Sequence, residues 1–70
     1  MNEIKIDTDY ITLGQFLKLA DMIQSGGMAK WFLGEYEVFI NGEQDQRRGR
    51  KLVDGDQIDI PGYGKFLIKR

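Results

Sequence analysis

The chain is expected to fold as an α+β domain, two short N-terminal helices packed on a small, twisted, mostly antiparallel sheet. Three observations lead there. Apolar residues recur at helical spacing in the first half of the chain, they alternate with polar ones in the second half, and turn-forming glycine pairs separate the segments. Seventy residues allow one domain, spanning 1–70, with a single thin core.

Glu3-Ile4-Lys5-Ile6 alternates polar and apolar and is expected to be a short strand, closed by the polar Asp7-Thr8-Asp9. Thr12 and Gln15 make a capping-box pattern, in which the hydroxyl accepts from the backbone N–H of Gln15 and the amide reaches back. Leu13, Phe16, Leu17 and Ala20 follow at i, i+3, i+4 and i+7, so one helical face is apolar and Gln15 and Lys18 point outward. Ser25-Gly26-Gly27 is expected to end this helix, because paired glycines cost too much backbone entropy inside one. A second helix follows, with Ala29, Phe32 and Leu33 on one face, Lys30 and Trp31 off it, and Gly34 as its stop.

From Tyr36 onward the pattern is that of a sheet. Tyr36, Val38 and Ile40 alternate with Glu35, Glu37 and Phe39, and Asn41-Gly42 suits the positive φ angles of a type I′ hairpin turn. Leu52-Val53, the tight turn Asp54-Gly55-Asp56, the alternating Gln57-Ile58-Asp59-Ile60, the loop Pro61–Gly64 and a closing strand with Phe66 and Ile68 on one side complete the chain.

Composition excludes several functions. Without cysteine there is neither a disulfide framework nor a zinc–thiolate site, and without histidine, cysteine or a Walker glycine loop catalysis has little material. Asp54, Asp56 and Asp59 lack the ligand series of a calcium loop, and turn chemistry accounts for them. No apolar run approaches the roughly 18 residues of a membrane span, and Met1–Asp9 lacks the pattern of a signal peptide. A cytoplasmic, monomeric chain without cofactor, metal or small-molecule substrate is expected.

The net charge of −1 by itself argues against a polyanion binder. Its distribution argues the other way. Gln46-Arg47-Arg48-Gly49-Arg50-Lys51 holds four cations and no anion, and charges beyond about 8–10 Å are screened. Arginine presents paired donors to phosphate and Gly49 allows close backbone approach. If Arg47, Arg48, Arg50 and Lys51 each meet a phosphate, binding should fall with salt with a log–log slope of about −3 to −4.

Ala29-Lys30, Phe32-Leu33, Val38-Phe39-Ile40-Asn41-Gly42 and Gly55-Asp56-Gln57-Ile58-Asp59-Ile60 stand in an order and spacing that resembles the RNA-binding domain named after ribosomal protein S-four. The resemblance covers Leu13 to Ile60, and Gly42-Glu43 with Arg47-Arg48-Gly49-Arg50-Lys51-Leu52 looks closest to the small stand-alone bacterial members, the YaaA-like and YbcJ-like proteins. It implies the alpha-L RNA-binding motif, with ribosomal RNA or a ribosomal subunit as partner and a place in ribosome assembly. One departure stands out. Many members begin the second helix with Ser-Arg, the arginine touching phosphate, whereas Gly26 follows Ser25 here. Phe39 likewise replaces a commonly basic or polar strand residue.

The expected RNA-binding residues are therefore Arg47, Arg48, Arg50 and Lys51, extended by Lys18 and Lys30 on the outer helix faces. Ser25, Gly26 and Gly27 either offer backbone N–H groups to a phosphate or simply break the helix. Trp31 either stacks on an unpaired base or covers the edge of the core. The alternative to RNA binding is a β-grasp-like protein-interaction module, which needs no basic loop. Its carrier versions end in Gly-Gly, unlike Ile68-Lys69-Arg70 here.

Overall fold

The computed structural model describes residues 1–70. In chain order the elements are β1 (Asn2–Lys5), β2 (Ile11–Thr12), α1 (Leu13–Leu19), a 3₁₀ turn (Gly26–Met28) running into α2 (Ala29–Glu35), β3 (Phe39–Ile40), β4 (Glu43–Gln44), β5 (Lys51–Leu52), β6 (Gln57–Ile60) and β7 (Gly64–Lys69). Two strands thus precede the helices, which are not the N-terminal elements. Five strands form one sheet in the order β1-β7-β6-β3-β4, while β2 and β5 pair separately. The main sheet is mixed: β1 runs parallel to β7, and the other three pairings are antiparallel.

Local chemistry explains most boundaries. Thr12 caps α1 as its spacing suggests: Gln15 N–H donates to the Thr12 hydroxyl at 3.2 Å, and Thr12 N–H donates to the Gln15 side-chain oxygen at 2.8 Å. The helix ends earlier than the glycine pair. Asp21 takes φ 62°, its N–H donates to the Lys18 carbonyl at 3.1 Å, and Met22 N–H donates to Leu17 at 3.0 Å. This is a Schellman stop with aspartate where glycine is usual; a short polar side chain tolerates the left-handed region. The second helix runs one residue past Gly34, to Glu35.

Asn41 and Gly42 both have positive φ, 52° and 87°, and Ile40 faces Glu43, so the two-residue hairpin forms where the sequence places it. The Asn41 side chain also ties this hairpin to the next strand. Its Nδ2 donates to Asp56 Oδ1 at 3.0 Å and its Oδ1 accepts from Gln57 N–H at 3.0 Å. Asp56 in turn accepts from Val53 N–H at 2.9 Å, closing the turn at Gly55.

The core lies between the helix pair and one face of the main sheet. Leu13, Phe16 and Leu17 from α1 and Ala29, Phe32 and Leu33 from α2 meet Val38, Ile40, Ile58, Ile60, Phe66 and Ile68. At its centre the Phe16 and Phe66 rings meet edge to face, centroids 5.4 Å apart. Leu52 reaches the same core from β5, although its backbone pairs with β2 and not with the large sheet. That pairing brings the basic segment against the start of α1.

Phe16 is fully buried, and truncating a buried phenylalanine costs about 3–5 kcal/mol. A small domain has little more than that in total. Phe16→Ala is expected to leave the chain largely unfolded at room temperature, as read by urea titration of tryptophan fluorescence, whereas Leu19→Ala, at an exposed position, should shift the midpoint little.

Candidate nucleic-acid interface

Residues 45–50 connect β4 to β5 and carry most of the basic run. Arg50 N–H donates to the Arg47 carbonyl at 3.0 Å, which makes a tight turn with Arg48 and Gly49 at its tip. The turn is fastened to α1 by its own backbone. Gly14 N–H donates to the Arg48 carbonyl at 2.9 Å and Leu13 N–H to the Arg50 carbonyl at 2.7 Å. A helix leaves its first N–H groups without partners inside the helix, and here the loop carbonyls take two of them. Gly14 is closely packed there: a Cβ would lie 3.4 Å from the Arg48 carbonyl oxygen and 3.5 Å from the Ala29 Cβ, in van der Waals contact with both.

The four cations do not form one free edge. Asp45, the single buried charged residue, takes two of them. Its Oδ1 accepts from Arg47 N–H at 2.8 Å and Arg47 Nε at 3.1 Å, and its Oδ2 accepts from Arg47 Nη2 at 2.8 Å and Arg50 Nη1 at 2.9 Å. Of the four cations expected to meet phosphate, Arg47 and Arg50 are thus ion-paired within the chain, and the basic run is not one concentrated free edge. A buried carboxylate needs compensating charge and hydrogen bonds, and the nearest arginines supply both. Arg47 still leaves 73% of its side chain exposed, and the trio keeps a net charge of +1, so this corner remains mildly positive. Arg48 and Lys51 enter no ion pair within the chain.

Arg48 and Lys18 meet in one shallow groove of about 410 Å³, walled by Thr12, Gly14, Gln15, Lys18, Gly26, Ala29, Arg48 and Gly49. None of the eight is acidic. The groove thus joins the tip of the basic turn, the start of α1 and the first residue of the 3₁₀ turn. Lys51 lies just beyond it, paired across β2–β5 with Thr12 and with its Nζ 4.8 Å from the centre of the Tyr10 ring. Lys30 is exposed on α2, and Ser25 and Gly27 are exposed beside Gly26 without lining the groove. The Ser25 side chain caps nothing.

Trp31 is not brought into the groove. It is 54% exposed, with its ring edge-on to Phe32 and Tyr36, and Tyr36 packs in turn on Tyr63 at 5.4 Å. Phe39 is half-buried on β3, between β4 and β6. Asp56 accepts within the turn from Val53 N–H, and Asp54 accepts from Arg70 N–H at 2.8 Å at the end of the chain's last strand. No helix is long and apolar enough to cross a membrane.

Three contributors to this site escaped the sequence reading. Asp45 stands one residue before the basic run, and its Asp-x-Arg-x-x-Arg spacing was the available signal. Gly14, a glycine inside a helical pattern, is such a marker of close approach. Tyr10 left no signal, because it depends on a strand pairing between distant segments.

Side-chain hydrogen bonds from Arg47 hold the Asp45 carboxyl well below the usual carboxylate range, against the opposing effect of its burial; Arg50 adds to the lowering. A depressed native pKa gives stability that is full above the unfolded value of about 4 and is lost as pH falls through the native one. Asp45→Asn is expected to cost about 2–3 kcal/mol at pH 7, less than a fully buried pair loses when broken, because Arg47 stays hydrated. The difference between wild type and variant in urea titrations should narrow steadily from pH 5 down to pH 2.

Comparison with known proteins agrees with this geometry. The description of the S4 domain matches residues 4–69. The "Probable ribosome maturation protein RlbA" of Bacillus subtilis (strain 168) is 67% identical over 67 residues, covering 96% of this chain and 94% of that protein. With the match running over nearly its whole length, the chain belongs to the S4 domain family.

Proposed function

We propose that the chain is a non-catalytic module that holds structured RNA, most directly ribosomal RNA during ribosome maturation, in the groove between α1 and the basic turn. The observation that carries this reading is the carboxylate-free wall containing both Lys18 and Arg48. Phosphates need cations presented together in a place where like charges do not oppose them, and a net charge of −1 makes such a place the exception on this surface. Family membership and the name of the Bacillus subtilis relative support the same direction. They do not favour the β-grasp-like protein-interaction alternative, which also leaves the cationic groove without a purpose.

The footprint that follows is narrower than the basic run. Arg48, Lys18 and Lys51 meet phosphate directly, with Gly26 and Gly49 allowing the backbone close. Arg47 and Arg50 act chiefly by holding the turn on Asp45, although the outer face of Arg47 can add a contact. Ser25 and Gly27, beside Gly26, contribute at the margin, and Lys30 and Trp31 lie outside the groove's lining, so that single substitutions at these four positions weaken binding only slightly.

Three direct phosphate contacts give a log–log salt slope of about −2 to −3, shallower than four would give. Filter binding of a ribosomal RNA fragment over a salt series measures it. The double variant Lys18→Ala/Arg48→Ala is expected to make the slope shallower by about 1.4–1.8 while leaving the urea midpoint near wild type. Affinity and slope both equal to wild type would remove the groove from consideration as the RNA site. Arg47→Ala should act differently, lowering the urea midpoint at least as clearly as RNA affinity.

A further inference from the structure

We infer that Tyr10 is a stacking platform for one unpaired nucleobase, placed beside the groove that holds the phosphates. The inference rests on the RNA reading of that groove and names the kind of nucleotide at its end.

Tyr10 is 44% exposed and contributes nothing to the core, which its neighbour Ile11 enters instead. An isolated exposed tyrosine would be unremarked. This one has an ammonium 4.8 Å from its ring centre, from Lys51, and it lines a second, wider groove of about 1020 Å³ together with Lys18 and Gln15. Lys18 and Gln15 also line the cationic groove. The tyrosine ring and Arg48 therefore lie on either side of the same lysine, on one continuous surface.

The backbone that carries the ring is held in place. Thr8 Oγ1 donates to the Tyr10 carbonyl at 2.8 Å, and the next residue, Ile11, pairs with Leu52 in the ribbon that carries Lys51. With the Lys51 ammonium over one face of the ring, the opposite face can stack on a base while the cation meets the phosphate of the same nucleotide. The wider groove sets a limit. Asp7, Asp9 and Arg70 line it as well, Asp9 paired with Arg70 at 2.7 Å, so Asp7 is left as an unpaired carboxylate and phosphates are not drawn into it as they are into the carboxylate-free one. A duplex continuing past Tyr10 would run its backbone toward these carboxylates, whereas a single unpaired nucleotide ending there would not. That asymmetry favours an unpaired base next to a helical stem.

The test uses the full chain and two RNAs: a blunt hairpin, and the same hairpin with a three-nucleotide single-stranded 3′ extension. Wild type is expected to prefer the extended hairpin. Tyr10→Leu should lose that preference, weakening the extended RNA about tenfold without altering the blunt one or the salt slope. Tyr10→Phe, which keeps the ring, should retain it, and thermal melting checks that both variants fold. A Tyr10→Leu variant that keeps the preference overturns the inference, as does equal loss on both RNAs or a Tyr10→Phe variant as weak as Tyr10→Leu. The first of these is also what a protein segment occupying the groove would give. Lys18→Ala/Arg48→Ala separates the two levels. If that variant weakens both RNAs while Tyr10→Leu weakens neither, only the stacking role falls; if neither variant has any effect, the phosphate groove falls as well.

Discussion

The two main-chain hydrogen bonds from Leu13 and Gly14 to the carbonyls of Arg50 and Arg48 set the geometry on which the cationic surface depends. They join the first turn of α1 to a loop more than thirty residues later in the chain, and the β2–β5 pairing continues the same junction by one further step. Neither bond involves a side chain, so the Arg48 carbonyl fastens the loop while the Arg48 guanidinium stays out of any ion pair. Gly14 packs closely in that arrangement, since a Cβ there would already touch the Arg48 carbonyl at 3.4 Å. Lys18 stands one helical turn further along the same helix, so fixing the start of α1 also fixes the distance between Lys18 and the turn.

Charge in the turn is organised around Asp45. Four cations in five residues repel one another, and an unpaired loop of that kind would be extended and mobile. The buried carboxylate neutralises part of this repulsion and, by accepting from both Arg47 and Arg50, spans the turn. Arg48 is left at the tip with no partner inside the chain. Identical residue types thus divide into two tasks by their position relative to one carboxylate: two arginines shape the turn, and the one between them faces the groove.

Features resting on neighbouring residues were legible in the sequence. The Thr12–Gln15 box, the apolar face of α1, the Asn41-Gly42 hairpin and the alternation before Pro61 all depend on contacts within a few positions, and all are present. The end of α1 was misread because Asp21, not glycine, adopts the left-handed conformation, and aspartate there has no distinctive composition. The wider misses are non-local. Nothing about Lys51-Leu52 as a dipeptide says that it leaves the main sheet to pair with Ile11-Thr12, and the parallel contact of β1 with β7 joins opposite ends of the chain. The division among the arginines was hidden for a similar reason: a basic run gives charge density but not the direction in which each side chain is drawn.

Glycine at position 26 acquires a physical meaning from the same junction. Where many relatives by resemblance carry an arginine at the start of the second helix, this chain has no side chain at all, yet Gly26 and Arg48 line one groove. A cation missing from the helix side is therefore faced by a cation from the turn side. An arginine at both positions would place two guanidinium groups on one shallow groove with Lys18 also lining it, and their mutual repulsion would have to be balanced by ligand alone. With glycine, the cleft stays open to a backbone approach and its charge is supplied by a residue whose own main chain is fastened to α1. Gly26, Lys18 and Arg48 share one groove, and that sharing lets the turn supply the charge that the helix start does not.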